Sequence, residues 1–129
     1  MVLVDTSIWI DFFRHPTSPH ADRLEDLVKG HNRVVLCGIV LQEVLQGIRE
    51  NRSFAATKER LAKFPCLDMT REIHIAAASL YRSLRSKGIT VPSADTSIAA
   101  LAMFSHIPLY TKDDHFTIIA KHARLELYS

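Results

Sequence analysis

Short apolar runs alternate along the chain with longer segments whose apolar residues recur every three or four positions. Runs of this kind, bounded by turn signals, are typical of buried strands, and the longer period is typical of amphipathic helices. The runs predict strands at Val2–Val4, Arg33–Gly38, Cys66–Met69 and Pro108–Thr111, and alternation predicts a final edge strand over Arg124–Tyr128. A dense apolar segment follows the first strand and predicts a helix that begins at Thr6 or Ser7.

The helical period continues between the other strands. Further helices are predicted over Ala21–Lys29, Ile39–Arg49, Asn51–Phe64, Arg71–Lys87 and Ser93–Phe104, and from Asp113 or Asp114 to His122. Strands that alternate with one or two helices indicate an α/β fold, with a parallel sheet flanked by helices on both faces. No linker or internal repeat divides the chain, so residues 1–129 are expected to form a single domain.

Composition narrows the class of protein. No apolar run approaches the roughly 18 residues of a membrane span, and the N-terminus lacks the pattern of a secretory signal. The formal net charge of +2 is too small to indicate a nucleic-acid partner by itself. Cys37 and Cys66 lie in apolar surroundings without zinc spacing, so we expect unpaired core thiols in a cytoplasmic protein without membrane association.

Three acids stand where a parallel sheet could gather them. Asp5 ends the first strand, Asp113 follows the fourth, and Asp95 lies on the same helical face as Ile98 and Ala99. A charge on an apolar face is informative, because burial of an unpaired carboxylate is costly. Taken singly, Asp5 could serve only as a helix cap, and Asp95 only as a first-turn acid favoured by the helix dipole.

A fourth acid, Glu43, has weaker support. It lies opposite the apolar stripe of its helix, and the glycine one turn later, Gly47, leaves room nearby. An ordinary exposed glutamate fits the same pattern.

Carboxylates that meet without histidine or cysteine ligands suit Mg²⁺, with Mn²⁺ as the alternative. Such ions activate water and neutralise charge on an attacked phosphodiester. The hydroxyls of Thr6, Ser7 and Thr111 are expected to hold bound waters at the same edge.

Four motifs resemble those of PIN-domain ribonucleases, especially the VapC-type toxins of bacterial toxin–antitoxin pairs. They are Val2–Asp11 (VLVDTSIWID), Val40–Gly47 (VLQEVLQG), Ser93–Ala100 (SADTSIAA) and Leu109–Phe116 (LYTKDDHF). Their order and spacing match across essentially the whole chain. The third and fourth motifs contain Asp95 and Asp113, and many relatives carry a second acid where this chain has His115, so the parts of Asp114 and His115 stay open.

The resemblance implies a fold, a reaction and partners. The fold would be an open five-stranded parallel sheet, and the protein a homodimer. Asp5, Glu43, Asp95 and Asp113 would be the catalytic, metal-binding acids of an Mg²⁺-dependent endoribonuclease that cleaves RNA and is held as a toxin by a cognate antitoxin. The RNA target and the number of ions are not implied.

Two other functions stay open on sequence grounds. A haloacid-dehalogenase-type phosphatase needs a second aspartate two residues after its nucleophile, and Ser7 stands at that position after Asp5. A non-catalytic binding module on the same fold is disfavoured by the presence of all four acids.

Apolar residues of the first helix predict the antitoxin surface. Trp9, Phe12 and Phe13 follow Asp5 too closely for all of them to reach the sheet, so part of this surface is expected to form a groove for an antitoxin helix. Completion of the core or of a dimer interface is the alternative.

The fourth strand sets an expectation for the acids behind it. Because side chains alternate along an extended chain, Asp113 should lie on the same side as Thr111. Asp114 would then be free to cap a helix that begins at His115.

Overall fold

The computed structural model describes residues 1–30 and 33–129, and over these ranges the chain forms four strands and seven helices. The strands are β1 (Val2–Val4), β2 (Val34–Cys37), β3 (Cys66–Leu67) and β4 (Leu109–Tyr110). The helices are α1 (Thr6–Arg14), α2 (Pro19–Lys29), α3 (Gly38–Gln46), α4 (Asn51–Leu61), α5 (Arg71–Ser86), α6 (Ser93–Phe104) and α7 (Asp114–His122). The predicted α/β alternation is confirmed.

The sheet has the order β3-β2-β1-β4, and every pairing is parallel. Leu3 of β1 lies opposite Val35 on one side and Leu109 on the other. All residues of the two central strands are buried, which requires cover on both faces of the sheet. The carboxyl ends of β1, β2 and β4 therefore meet at one edge, where ligands bind in open parallel sheets.

The predicted fifth strand is not formed. Arg124–Tyr128 contributes only an isolated bridge between Leu109 and Leu127. Two backbone hydrogen bonds hold it, from Leu109 N to the Glu126 carbonyl at 2.9 Å and from Tyr128 N to the Leu109 carbonyl at 2.8 Å. Because β4 itself is only two residues long, no longer ladder can form beside it. The segment occupies the expected edge, and the strand count is four instead of five.

Several helices end earlier than the periodicity predicts. α3 stops at Gln46, with Gly47 at its C-cap, and α4 stops at Leu61. α6 spans Ser93–Phe104 as predicted, and its N-cap is Pro92, which makes no side-chain cap bond. These differences concern the ends of the helices and not their order along the chain.

The two cysteines differ in their environment. Cys37 is fully buried, and this burial raises the pKa of its thiol. Cys66 is exposed at the start of β3, so its assignment to the core is wrong, because β3 forms the edge of the sheet. Both are free thiols, as predicted.

Over the described ranges, every helix is too short or too polar to cross a bilayer.

Candidate functional site

Asp5 stands where β1 ends, and it is the N-cap of α1. Only 3% of the surface of Asp5 is exposed, and one of its carboxylate oxygens accepts several hydrogen bonds. Oδ2 accepts hydrogen bonds from Ser7 Oγ at 2.8 Å, from Thr111 Oγ1 at 2.9 Å and from Ser7 N at 3.3 Å. The capping role and the position at the sheet edge are therefore both observed. One oxygen is anchored by the fold, and the hydrogen bonds found among the described residues leave Oδ1 unused.

Asp95 and Asp113 both contact the same imidazole nitrogen of His115. Nδ1 of His115 is 2.9 Å from Asp95 Oδ2 and 3.3 Å from Asp113 Oδ1. One ligand atom from each of the three residues lies within 4.8 Å of the others. The side chain of Asp95 is 13% exposed, whereas those of Asp113 and His115 are 38% and 43% exposed. The cluster therefore opens to solvent from the α7 side.

The surroundings of Asp95 disfavour its charge. Burial raises the pKa of this carboxyl from 3.8 to about 6, although the hydrogen bond from His115 acts in the opposite direction. The negative charges of Asp113 and Asp5 add to the rise. Asp95 therefore shares one electrostatic environment with both other acids, as the parallel sheet predicts.

Glu43 joins the site through a hydroxyl. Its half-buried carboxylate accepts a hydrogen bond at Oε1 from Thr6 Oγ1, at 2.8 Å. Thr6 directly follows Asp5, so α3 presents Glu43 beside the start of α1. The space left by Gly47 is taken by Arg14, whose Nη2 donates to the Gly47 carbonyl at 3.1 Å.

The three supporting hydroxyls contact the acids directly. They were expected to hold waters, but Thr6 binds Glu43, and Ser7 and Thr111 bind Asp5. Because these hydroxyls come from α1 and from the end of β4, they fix the acids relative to two separate elements. Their role in this structure is to position carboxylates.

The turn after β4 corrects one expectation. Asp113, not Asp114, caps α7, because its Oδ1 accepts from His115 N at 2.9 Å. Asp113 keeps an extended backbone, with φ −84° and ψ 126°, and its N donates to Thr111 Oγ1 at 3.0 Å. Asp114 is the exposed first residue of the helix. Asp113 also belongs to the cluster with Asp95 and His115, so it both caps α7 and contributes a carboxylate to the site.

Two contributors were not predicted from the sequence. One is His115, and the only indication in the sequence was that it stands in the fourth motif where many relatives carry an acid. The other is Asp11, which is buried on α1 and binds Lys112 Nζ at 2.6 Å and Ser18 Oγ at 3.1 Å. The hydrogen bond from Lys112 lowers the pKa of Asp11. This ion pair ties the loop that carries Asp113 to α1.

The three aromatic residues of α1 have separate locations. Trp9 is fully buried and packs against Phe12, Phe13 and Phe64, with ring centroids 5.1–5.9 Å apart. The expectation that Trp9 contacts an antitoxin is wrong for this structure, because Trp9 has no exposed surface and α2 and α3 cover α1. Phe12 and Phe13 are half-buried, and Arg60 lies over both rings at 5.2 and 4.9 Å.

The donor set fits a divalent cation. Of the four predicted acids, Asp95 and Asp113 lie in one cluster with His115, and Asp5 is close enough for its charge to act on Asp95. Carboxylate oxygens are the hard ligands that such a cation prefers. Burial first, and then the charges of Asp113 and Asp5, raise the pKa of Asp95, and a bound cation would favour its charged form.

Comparison with known proteins agrees with the geometry. The sequence matches the PIN domain family over residues 2–122. It is 31% identical over 132 residues to Ribonuclease VapC11 of Mycobacterium tuberculosis, covering 100% of this chain and 98% of that protein.

Solved structures share the fold. DNA-bound VapBC from Salmonella typhimurium superposes with a TM-score of 0.81 at 19% identity, over 98% of this chain and 96% of that chain. VapBC-5 from M. tuberculosis, a member of the VapBC family of toxin–antitoxin systems, superposes with a TM-score of 0.71 at 24% identity. The match covers 97% of this chain and 94% of that chain. The chain therefore belongs to the PIN domain family, among its VapC-type proteins.

Proposed function

We propose that this protein is a metal-dependent endoribonuclease that hydrolyses RNA phosphodiester bonds. The observation that carries the proposal is the cluster of Asp95, Asp113 and His115 in a PIN domain, with the charge of Asp5 close enough to raise the pKa of Asp95. Glu43 accepts a hydrogen bond from Thr6, which directly follows Asp5. The similarity to a protein named as a ribonuclease supports the choice of RNA as substrate.

The four acids would hold Mg²⁺, or Mn²⁺ in its place. Such an ion supplies an activated water for the attack and neutralises charge on the phosphate and the leaving oxygen. The acids would act as its ligands.

The surrounding residues keep these acids in place for repeated turnover. Ser7 and Thr111 hold Oδ2 of Asp5, so Oδ1 is the carboxylate oxygen without a hydrogen bond among the described residues. The ion pair between the buried Asp11 and the exposed Lys112 fixes the loop before Asp113. Positioning of this kind matters because small displacements of catalytic groups cost large factors in rate.

Incubation of total cellular RNA with the purified protein tests the activity. We expect fragments with defined ends in Mg²⁺ or Mn²⁺ and none in EDTA. Asp5→Asn should abolish cleavage, whereas the exposed neighbour substitution Asp114→Asn should preserve it. Metal-independent cleavage, or full activity of Asp5→Asn, would refute the proposal. A folded protein that binds metal but cleaves no RNA would favour a non-catalytic binding module.

We also propose that a cognate antitoxin covers the face made by Phe12 and Phe13. These rings line a surface cavity of about 390 Å³ together with Pro16, Glu25 and Arg60. Phenylalanine rings beside a glutamate and an arginine offer both apolar and charged contacts to an amphipathic partner helix. The similarity to a toxin–antitoxin protein such as VapBC-5 supports an antitoxin as the partner.

Substitution at this face tests the partner proposal. Phe13→Ser should weaken co-purification with the antitoxin while the protein stays folded, as judged by circular dichroism. Phe104→Ser changes an exposed phenylalanine at the end of α6 and serves as the control. Equal antitoxin binding by the two variants would contradict the assignment.

The proposal also covers the oligomeric state and the location in the cell. We propose a homodimer, which light scattering on the purified protein tests directly. We also propose a cytoplasmic location, since the RNA substrate is found there and both cysteines are free thiols.

A further inference from the structure

We propose that His115 is a metal ligand through Nδ1, and that the site therefore prefers Mn²⁺ and Co²⁺ to Mg²⁺ more strongly than a site built from carboxylates alone. The inference rests on the metal site of the proposed function and assigns it a further ligand. Imidazole nitrogen is a better ligand for the later first-row ions than for Mg²⁺, which favours oxygen.

The spacing of the three atoms carries the inference. Nδ1 of His115 is 2.9 Å from Asp95 Oδ2 and 3.3 Å from Asp113 Oδ1. Two adjacent ligands on an octahedral ion, with bonds of about 2.1 Å, lie about 3.0 Å apart. Both observed distances are close to this value. The nitrogen is therefore already placed at the separation that two ligands of one ion adopt.

The hydrogen bonds show what the same atoms do without an ion. Nδ1 of His115 and Oδ2 of Asp95 lie at hydrogen-bond distance, so one hydrogen is shared between the groups that would face the cation. A bound ion would take the place of this shared hydrogen. The neutral imidazole would then bind through the lone pair of Nδ1 and carry its ring hydrogen on Nε2.

Access to the three atoms is open. The side chains of His115 and Asp113 are 43% and 38% exposed, so an ion can reach the cluster from solvent without opening the core. The backbone N of His115 also donates to Asp113 Oδ1, which fixes the start of α7 against the acid. The imidazole is thus attached to a rigid helix end, as a ligand needs to be.

The alternative is that His115 only orients the two acids by hydrogen bonding. In that case its nitrogen would not bind the ion, and the metal preference would be that of a site built from carboxylates alone. Spin-echo spectroscopy distinguishes the two, because an imidazole nitrogen bound to Mn²⁺ modulates the echo of the ion.

The experiment uses the full-length protein, stripped of metal and loaded with Mn²⁺. We expect ¹⁴N modulation in the wild type and in His122→Gln, a control at the exposed end of α7, and its loss in His115→Gln. Calorimetric titration with Mg²⁺, Mn²⁺ and Co²⁺ gives the selectivity. His115→Asp, which replaces nitrogen by oxygen, should lower the ratio of Co²⁺ to Mg²⁺ affinity by about tenfold or more.

The outcomes separate this inference from the proposed function. Bound Mn²⁺ without nitrogen modulation, or modulation that persists in His115→Gln, overturns the assignment of His115 and leaves a metal-dependent ribonuclease intact. An unchanged affinity ratio in His115→Asp also overturns it. Failure of the wild type to bind any of the three ions overturns both.

Discussion

Replacement of Asp95 by asparagine should stabilise the metal-free protein. The carboxylate is mostly buried and lies near Asp113 and Asp5, so its charge is costlier in the folded state than in the unfolded chain. The pKa rises from 3.8 to about 6, and each pKa unit corresponds to about 1.4 kcal/mol. The ionised group therefore costs about 3 kcal/mol at neutral pH. Asparagine keeps the shape and can still accept a hydrogen bond from His115.

The sign of the pH dependence follows from proton binding. Because the folded state holds the Asp95 proton up to a higher pH, it binds more protons than the unfolded state between pH 3.8 and about 6. The wild type therefore loses stability as pH rises through this window, and Asp95→Asn does not. The advantage of the variant should grow from about 1 kcal/mol at pH 4.5 to about 3 kcal/mol at pH 8.

Urea denaturation in EDTA at these two pH values measures the difference. Asp114→Asn, an exposed change at the start of α7, is the matched control and should show little advantage at either pH. An advantage of Asp95→Asn that does not change with pH would refute the reasoning, and so would a variant less stable than the wild type at pH 8. Such a result would mean that the Asp95 charge is already compensated inside the protein.

Three further predictions concern other parts of the molecule. Asp113→Asn should weaken metal binding and RNA cleavage with little loss of stability, because asparagine caps a helix about as well as aspartate. An active Asp113→Asn variant together with an inactive Asp114→Asn variant would show that the catalytic acid is one residue later. Trp9→Ala should cost about 3–5 kcal/mol in urea denaturation, and a loss below about 1 kcal/mol would contradict its place in the core. A thiol reagent should label native Cys66 readily and Cys37 only upon unfolding, and equal rates for both would contradict their assigned burial.

Hydrophobic periodicity predicts most of the fold because it reports burial directly. β1 and β2 are continuous apolar runs, and the structure buries every residue in them. The C-terminal segment is the exception, since alternation over Arg124–Tyr128 predicts a strand but cannot reveal that its neighbour offers only two residues. Strand formation depends on the partner as well as on the sequence of the segment itself.

The site was harder to predict than the fold. The acids could be found because charges at strand ends and on apolar helix faces are exceptional. Asp95 and Asp113 do converge, and Asp5 is close enough to raise the pKa of Asp95. The cap of α7 could not be found, because Asp113 and Asp114 are equally suitable capping residues and only the structure shows which carboxylate accepts from His115 N. The role of Trp9 failed for a similar reason, since only the packing of α2 and α3 shows that α1 is covered.

The chemistry of the RNA ends tests the central claim most directly. If water held at the acids attacks phosphorus and expels the 3′ oxygen, each cut leaves a 5′-phosphate and a 3′-hydroxyl. If the ribose 2′-hydroxyl attacks instead, the cut leaves a 2′,3′-cyclic phosphate and a 5′-hydroxyl, and no metal-activated water is required. We expect sequencing of fragments made in Mn²⁺ to show 5′-phosphate ends that are absent with Asp5→Asn. Cyclic phosphate ends produced equally well in EDTA would contradict the claim.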